Sequence, residues 1–260
     1  VLLLYLGKDI KGILRDIEKK QGIKILFAVE AGSRAVGINS IYSDYDIRFV
    51  YTRKTKDYLR LSELPDTVSV NKDDLDICGW DLKKFLNLLY RSNMSVFEWL
   101  CSNITYIWSE DVNTLKTISS GYFSVKVGLL HYGNLAKKNY SKLNKGEVIA
   151  KDCVRVIESV LRAKYISAYK EFPSSMWYDC LLYDSEIDVP TDVYLSIKSI
   201  TDLRVKNKDA RIDLPENLKS YITESIDTIL KTADSLTREN KNISIEPLNE
   251  FFLAVLTKNL

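Results

Sequence analysis

The stretch that decides the reading of this chain is Glu30-Ala31-Gly32-Ser33-Arg34-Ala35-Val36-Gly37, followed by Ser43-Asp44-Tyr45-Asp46-Ile47-Arg48. It is flanked by strands. Ile23 to Val29 is a strand-like apolar run, and Tyr45 to Tyr51 alternates, with Tyr45, Ile47 and Phe49 on one side and Asp44, Asp46 and Arg48 on the other. A Gly-Ser pair leaving a strand lets backbone amides and a small hydroxyl approach a phosphate without a bulky side chain in the way. Asp44 and Asp46, two residues apart on a strand, share a face and crowd each other's charge unless a cation lies between them. Oxygen-only ligands favour Mg²⁺ or Mn²⁺ over zinc, and such ions share their sites with substrate phosphates. Taken singly, Gly32-Ser33 is any strand-to-helix turn and Ser43-Asp44 any Asx turn. Their joint spacing points to nucleotide chemistry.

Working outward, Ile10, Ile13, Leu14 and Ile17 follow helical spacing until Gly22 stops them. Val68 to Val70, Leu75 to Cys78 and Ile104 to Trp108 read as strands, and Asp81 is placed to cap a helix carrying Leu82, Phe85, Leu86 and Leu89. Phe97 to Leu100 belongs to another helix. From about Tyr122 the periodicity is helical throughout, over 123–140, 148–169, 191–206, 216–234 and 248–260, with prolines between the segments. The expected class is α+β, with a small mixed sheet and flanking helices in residues 1–115 and an all-helical domain in residues 116–260.

The 260 residues include 46% hydrophobic and 28% charged residues with only 10 Gly and 5 Pro, which excludes collagen-like, low-complexity and mostly disordered classes. The apolar run Val1 to Leu6 is far shorter than a membrane span and has neither an initiator Met nor a basic leader, so no membrane or targeting role is expected. Four scattered cysteines without a C-x-x-C pair, and one histidine, speak against a Cys/His zinc site; buried reduced thiols in a cytoplasmic protein are expected. With His131 as the sole histidine, acid-base chemistry falls to carboxylates. The net charge is +2, but residues 131–170 carry nine basic against three acidic side chains, Lys145 and Glu147 among them. This run is either a solvated helix surface or an anion site.

The composite pattern resembles a known family. Glu30 to Gly37, Ser43 to Arg48, Gly79-Trp80-Asp81-Leu82-Lys83-Lys84, Ser92-Asn93 and Glu98-Trp99-Leu100 are similar to the RNA-ligase-associated, RlaP/YcgL-like nucleotidyltransferases of the DNA polymerase beta-type superfamily. The likeness covers most of residues 23–108, extends more weakly through His131-Tyr132, Asn139-Tyr140 and 151–166, and finds no motif beyond about residue 175.

The resemblance implies a third carboxylate on a neighbouring strand. Asp76 is the choice, because Leu75 and Ile77 face the core and alternation turns Asp76 to the other side; Asp73 and Asp74 are lesser candidates. It further implies that Asp44 and Asp46 hold two Mg²⁺ (or Mn²⁺) ions, that Asp76 binds one of them and helps deprotonate the attacking hydroxyl, and that Gly32 and Ser33 hold the outer phosphates of an NTP such as ATP. Arg34 and Arg48 are either phosphate ligands or charge-balancing partners. His131 is either structural or at the site, and Lys137, Lys138, Lys151 and Lys164 are candidates for the phosphates. The implied reaction transfers NMP to a hydroxyl, with an RNA 3′ end, tRNA-like, as acceptor and an RNA ligase as functional partner. A protein hydroxyl, a second nucleotide, or a non-catalytic RNA-binding module are the competing readings.

Overall fold

The computed structural model describes residues 9–143, 148–173, 178–207, 209–237 and 243–258. Val1 to Leu6, Lys145 and Glu147 lie outside them. Helix α1 (Ile10–Gln21) is capped by Asp9, whose side chain accepts from the Gly12 amide at 2.8 Å, and it ends at Gly22 in the left-handed region. The sheet strands are β1 (Lys24–Glu30), β2 (Tyr45–Thr52), β3 (Thr67–Lys72), β4 (Leu75–Asp81) and β5 (Thr105–Trp108), arranged in the order β3-β4-β2-β1-β5. One-turn helices α2 (Gly32–Ala35) and α3 (Thr55–Tyr58) lie in the connections, and α4 (Leu82–Tyr90), α5 (Met94–Leu100) and α6 (Asp111–Ser119) complete the first half.

All neighbouring strands run antiparallel except β2 and β4, which are parallel in a register that sets Asp46 opposite Asp76 and Arg48 opposite Cys78. Strand alternation then decides what each face does. Ile47, Phe49, Tyr51 and Ile77 pack with Ile10, Leu14 and Ile17 of α1 on one face. Asp46 and Arg48 have the opposite parity and turn toward the second core, which runs without a break from Phe27, Val29 and Val50 through α4 and α5 into the helical half. The acidic face of β2 therefore looks at the helices.

As its place before the apolar pattern implies, Asp81 caps α4: it accepts from the Lys83 amide at 2.8 Å and from the Tyr58 hydroxyl at 2.9 Å. Asp81→Ala is expected to lower stability by about 1–2 kcal/mol, while Asp81→Asn keeps the cap and most of that stability. Denaturant unfolding of the two variants measures the difference, and equal losses would assign the effect to charge.

The helical half consists of α7 (Val125–Leu143), α8 (Ala150–Tyr169), α9 (Tyr178–Leu182), α10 (Thr191–Lys206), α11 (Glu216–Ser235) and α12 (Glu246–Thr257). It departs from an all-helical reading in one place. Val148–Ile149 (β6) pairs antiparallel with Arg211–Ile212 (β7), and the Ala150 amide donates to Ala210 at 2.8 Å, so this ladder, not a longer helix, leads into α8. The pair of β-branched residues explains the preference. Pro190 and Pro215 stand at the N-caps of α10 and α11, whereas Pro247 lies inside the first turn of α12, where a missing backbone donor does no harm. No disulfide forms among the described residues; Cys153 is buried as expected, but Cys180 is exposed and Cys78 and Cys101 are half-buried. Among the described residues no helix is long and apolar enough to cross a membrane.

Candidate functional site

A cleft of about 280 Å³ opens where the end of β1, the turn after it and the start of β2 face α8 and α10. One wall carries Gly32, Ser33, Asp44 and Asp46; the other carries Lys151, Arg155, Arg162 and Arg204, with the carboxylates of Glu98 and Glu158 among them.

The acidic wall is built by a set of short links around Asp46. The Ala31 amide donates to the Asp46 carbonyl at 2.7 Å, and the Asp46 amide donates to Glu30 Oε1 at 2.8 Å. The other Glu30 oxygen accepts from the Tyr106 hydroxyl, and Ser102 Oγ donates to the Glu30 carbonyl at 2.6 Å. Glu30, at 1% exposure, is thus a buried carboxylate whose acceptors fix the backbone that carries Asp46. Burial pushes its pKa up against the hydrogen bonds from Tyr106 and Asp46. It belongs to the quoted motif, yet the sequence assigned it no task.

Gly32 meets two demands at once. Its φ of +57° lies in the left-handed region, and a Cβ on it would stand 2.0 Å from Asp46 Oδ2. The bare backbone is what lets the turn lie against the carboxylate. Arg34 braces the next segment: its Nε donates to the Asp44 carbonyl at 3.1 Å, its Nη2 donates to the Ser43 carbonyl at 2.7 Å, and its guanidinium lies over the Tyr45 ring at 4.0 Å. Its observed contacts hold the loop that presents Asp44.

Asp46 has its pKa raised, first by burial and then by the nearby Asp76 and Asp44 charges, against the pull of Arg48 and Arg155. A carboxylate so placed favours a cation beside it. Arg48 supplies part of that charge: its Nη2 contacts Asp76 Oδ2 at 2.7 Å and Asp46 Oδ1 at 3.4 Å, and its Nη1 donates to the Asp76 carbonyl at 2.8 Å. Asp44 and Asp46 together offer the one or two carboxylates that Mg²⁺ takes when substrate phosphates and water complete its shell. Asp76 sits one strand over, beyond the cleft lining and ion-paired to Arg48, and no tighter cluster of three or more Asp, Glu, His or Cys side chains forms among the described residues. The donor set fits a cation on the Asp44–Asp46 side, whereas the carboxylate of Asp76 is held by Arg48 at 2.7 Å.

Of the other sequence candidates, the fold brings Lys151 to the cleft. His131, Lys137 and Lys138 are exposed on α7 and do not line it, and Lys164 donates to the Asp188 carbonyl at 3.0 Å and lies over the Tyr221 ring elsewhere on α8. The His131 pKa is lowered by burial of its inner side, with Glu98 opposing and Arg162 reinforcing that effect. Arg155 and Arg204 are cleft residues that the motifs did not find.

Within the basic wall, Arg162, 3% exposed, ties α8 to the first half. Its Nη2 meets Glu158 at 2.6 Å, its Nη1 meets Glu98 at 3.2 Å, and the Tyr132 hydroxyl donates to Glu98 at 2.8 Å. Burial works against its charge, but the Glu158 and Glu98 carboxylates outweigh it and hold the guanidinium firmly protonated. Arg162→Met leaves both carboxylates short of their cation and is expected to lower stability by about 3 kcal/mol or more. Urea unfolding tests this, and a variant as stable as wild type would show the network to be dispensable.

Comparisons with known proteins follow the same lines. A Bacillus subtilis (strain 168) protein, described as the uncharacterized protein YcgL, is 30% identical over 247 residues, covering 92% of each chain. The crystal structure of a nucleotidyltransferase-like protein from Exiguobacterium sibiricum 255-15 overlaps 96% of this chain and 75% of its own at a TM-score of 0.28 and 11% identity, too distant to bear on the site. The model of one family matches residues 6–254, nearly the whole length over which the sheet, the acidic strand pair and the helical half are built. The chain belongs to that family, RlaP, the RNA repair pathway DNA polymerase beta family.

Proposed function

We propose that this protein transfers a nucleoside monophosphate from an NTP to a hydroxyl at an RNA 3′ end, releasing pyrophosphate. The observation that carries the reading is the two-signed cleft: paired carboxylates beside a glycine-serine turn on one wall, and lysine and arginine on the other. In the proposed reaction the acceptor oxygen loses its proton and bonds to the α-phosphorus while the bond from that phosphorus to the bridging oxygen breaks. The electron pair leaves with pyrophosphate.

Asp44 and Asp46 would hold the divalent ions, Mg²⁺ or Mn²⁺, with Asp76 as third ligand. When bound, such ions polarise the phosphate and stabilise the charge on the departing oxygen. Asp76 would take the proton from the acceptor hydroxyl, and Arg48, which now grips it, would shift toward Asp46. Ser33 and the Gly32 backbone would hold outer phosphates, Arg34 keeps Asp44 in place, and Glu30 fixes the backbone of Asp46. Lys151 gives the phosphates a point charge. Residues 1–115 would act as the catalytic core and 116–260 as the helical domain that closes over the nucleotide. The RNA-repair description of the family supports RNA as the acceptor; the link to an RNA ligase rests on the sequence resemblance.

The test incubates the protein with each α-phosphate-labelled NTP, Mg²⁺ or Mn²⁺ and a mixture of RNA 3′ ends, followed by a denaturing gel. Label on RNA that depends on the aspartates supports the proposal and names the base. Label on protein or on a second nucleotide would replace the acceptor. Absence of label with salt-sensitive RNA retention would replace the enzyme by a binding module.

A further inference from the structure

Helix α7 carries Lys126, His131, Lys137, Lys138 and Lys142 in its 19 residues and not one carboxylate. The other long helices, α8, α10 and α11, mix both signs. Asp152 meets Arg155 and Glu158 meets Arg162 within a turn of α8, as Glu216 meets Lys219 on α11. On α7 no such pairing is open. Lys126 donates to the Leu236 carbonyl at 2.7 Å, but Lys137, Lys138 and Lys142 are exposed and form no ion pair among the described residues. Lys142, in the last turn, complements the helix dipole; Lys137 and Lys138 stand too far back for that and only repel each other. A cationic surface kept against its own repulsion is the footprint of a polyanion.

Helical spacing sets His131, Leu135, Lys138 and Lys142 in one exposed row, with Lys137 beside it. The row has a definite relation to the cleft. Helix α7 packs against α8, the helix of the basic wall, with Gly128 next to Ile166 and the Tyr132 ring under Arg162. Beside His131, the Tyr132 hydroxyl donates at 2.8 Å to Glu98, which lines the cleft. From residue 131 to residue 142 the helix rises about 16 Å, so the row flanks the basic wall over that length and adjoins the cleft lining at one end. The apolar stripe of α7 is spent on the core through Leu129, Tyr132, Ala136 and Leu143, which leaves little to insert into a lipid surface. A phosphate backbone is the polyanion that asks only for charge in a row.

We propose that the exposed face of α7, through Lys137, Lys138 and Lys142, is a track for the backbone of the RNA whose 3′ end enters the cleft; the inference rests on the reading of RNA as acceptor. Lysines suit the task, because point charges on flexible stems follow phosphates whatever the base sequence. The track lies outside the cleft and takes no part in holding the NTP. It grips the acceptor upstream of the reacting end, so an RNA long enough to lie along α7 gains an affinity that a dinucleotide does not.

The experiment follows a fluorescent single-stranded RNA, longer than the track, binding across a salt series to wild type and two variants. One combines Lys137→Gln, Lys138→Gln and Lys142→Gln. The control combines Lys11→Gln, Lys19→Gln and Lys20→Gln on α1, which removes the same charge from exposed positions on the other face of the sheet. Melting temperature, affinity for a fluorescent NTP analogue and binding to phosphatidylserine vesicles are recorded for each. The α7 variant is expected to lose about 10- to 100-fold in RNA affinity at low salt, and its slope of log affinity against log salt to flatten by about 2, at roughly 0.7 per phosphate contact. The control is expected to change by less than about threefold, and both variants to melt with wild type and keep NTP affinity within about threefold. Equal losses in the two variants would assign binding to net charge, and an unchanged slope in the α7 variant would leave the row a solvated surface; either overturns the inference. A matching loss of NTP affinity, or lysine-dependent binding to vesicles tighter than to RNA, overturns it as well. Wild type that labels RNA no better than the α7 variant does removes the track and leaves transfer to RNA standing. Wild type that neither retains nor labels RNA sinks both.

Discussion

Asp46→Asn is expected to lower label transfer by about 10³-fold or more while leaving the protein folded and at least as heat-stable as wild type. The size follows from removing a metal-ligating charge from the reacting phosphate: electrostatic help of about 4 kcal/mol in the transition state corresponds to a factor of about 10³. The undiminished stability follows from the surroundings of Asp46. Its charge is disfavoured by burial and by Asp76 and Asp44, so an isosteric amide relieves repulsion, even though the contact with Arg48 at 3.4 Å weakens. Two measurements make the result specific. Raising the Mn²⁺ concentration should not restore Asp46→Asn to within tenfold of wild type, and nucleotide affinity without metal should change little. A variant that keeps more than about a tenth of wild-type transfer would remove Asp46 from the chemistry and leave the acidic wall a structural feature.

The same environment separates what the sequence could reveal from what it could not. The alternation around Asp46 was readable because Ile47 and Phe49 must enter a core, which forces Asp46 and Arg48 to the other face; Asp44, expected on the same strand, instead precedes it in the loop that Arg34 holds. Asp81 was readable as a cap because a polar residue preceding an apolar helical pattern has an amide to satisfy. Arg48 is a different case: its residue type fits phosphate and carboxylate equally, and only the parallel register that places Asp46 beside Asp76 shows which groups it now holds. The basic run of 131–170 is split by helix geometry. Lys151 and Arg155 turn to the cleft, Lys164 goes to Asp188 and Tyr221, and Lys137 and Lys138 stay on the outer side of α7. No count of charges could have made that division. Arg204 did leave a trace, a cation at the position after Val193, Ile197 and Ile200 on an apolar stripe. Naming its destination required knowing that α10 packs against α8 at the cleft.

Gly32→Ala is expected to reduce transfer by about 10²-fold and stability by about 1–2 kcal/mol, a pairing of effects that Asp46→Asn does not produce. The stability loss comes from φ, since at +57° an L side chain is strained by roughly that amount. The activity loss comes from space. A Cβ at residue 32 would stand 2.0 Å from Asp46 Oδ2 and 2.8 Å from its Cγ, and the mobile end of the aspartate yields more readily than the turn, which is tied by the Ala31-to-Asp46 hydrogen bond. A carboxylate displaced by about 1 Å from a reacting phosphate loses about two orders of magnitude in rate. Gly32 could also act independently, by offering its amide to an outer phosphate, and a double-mutant cycle distinguishes the two routes. If the glycine works through Asp46, adding Gly32→Ala to Asp46→Asn costs little further activity, because the group it displaces is already disabled. Losses that multiply would assign the glycine to the phosphates instead. A Gly32→Ala enzyme within about fivefold of wild type would contradict both routes, and with them the claim that the close approach of turn and carboxylate organises the site.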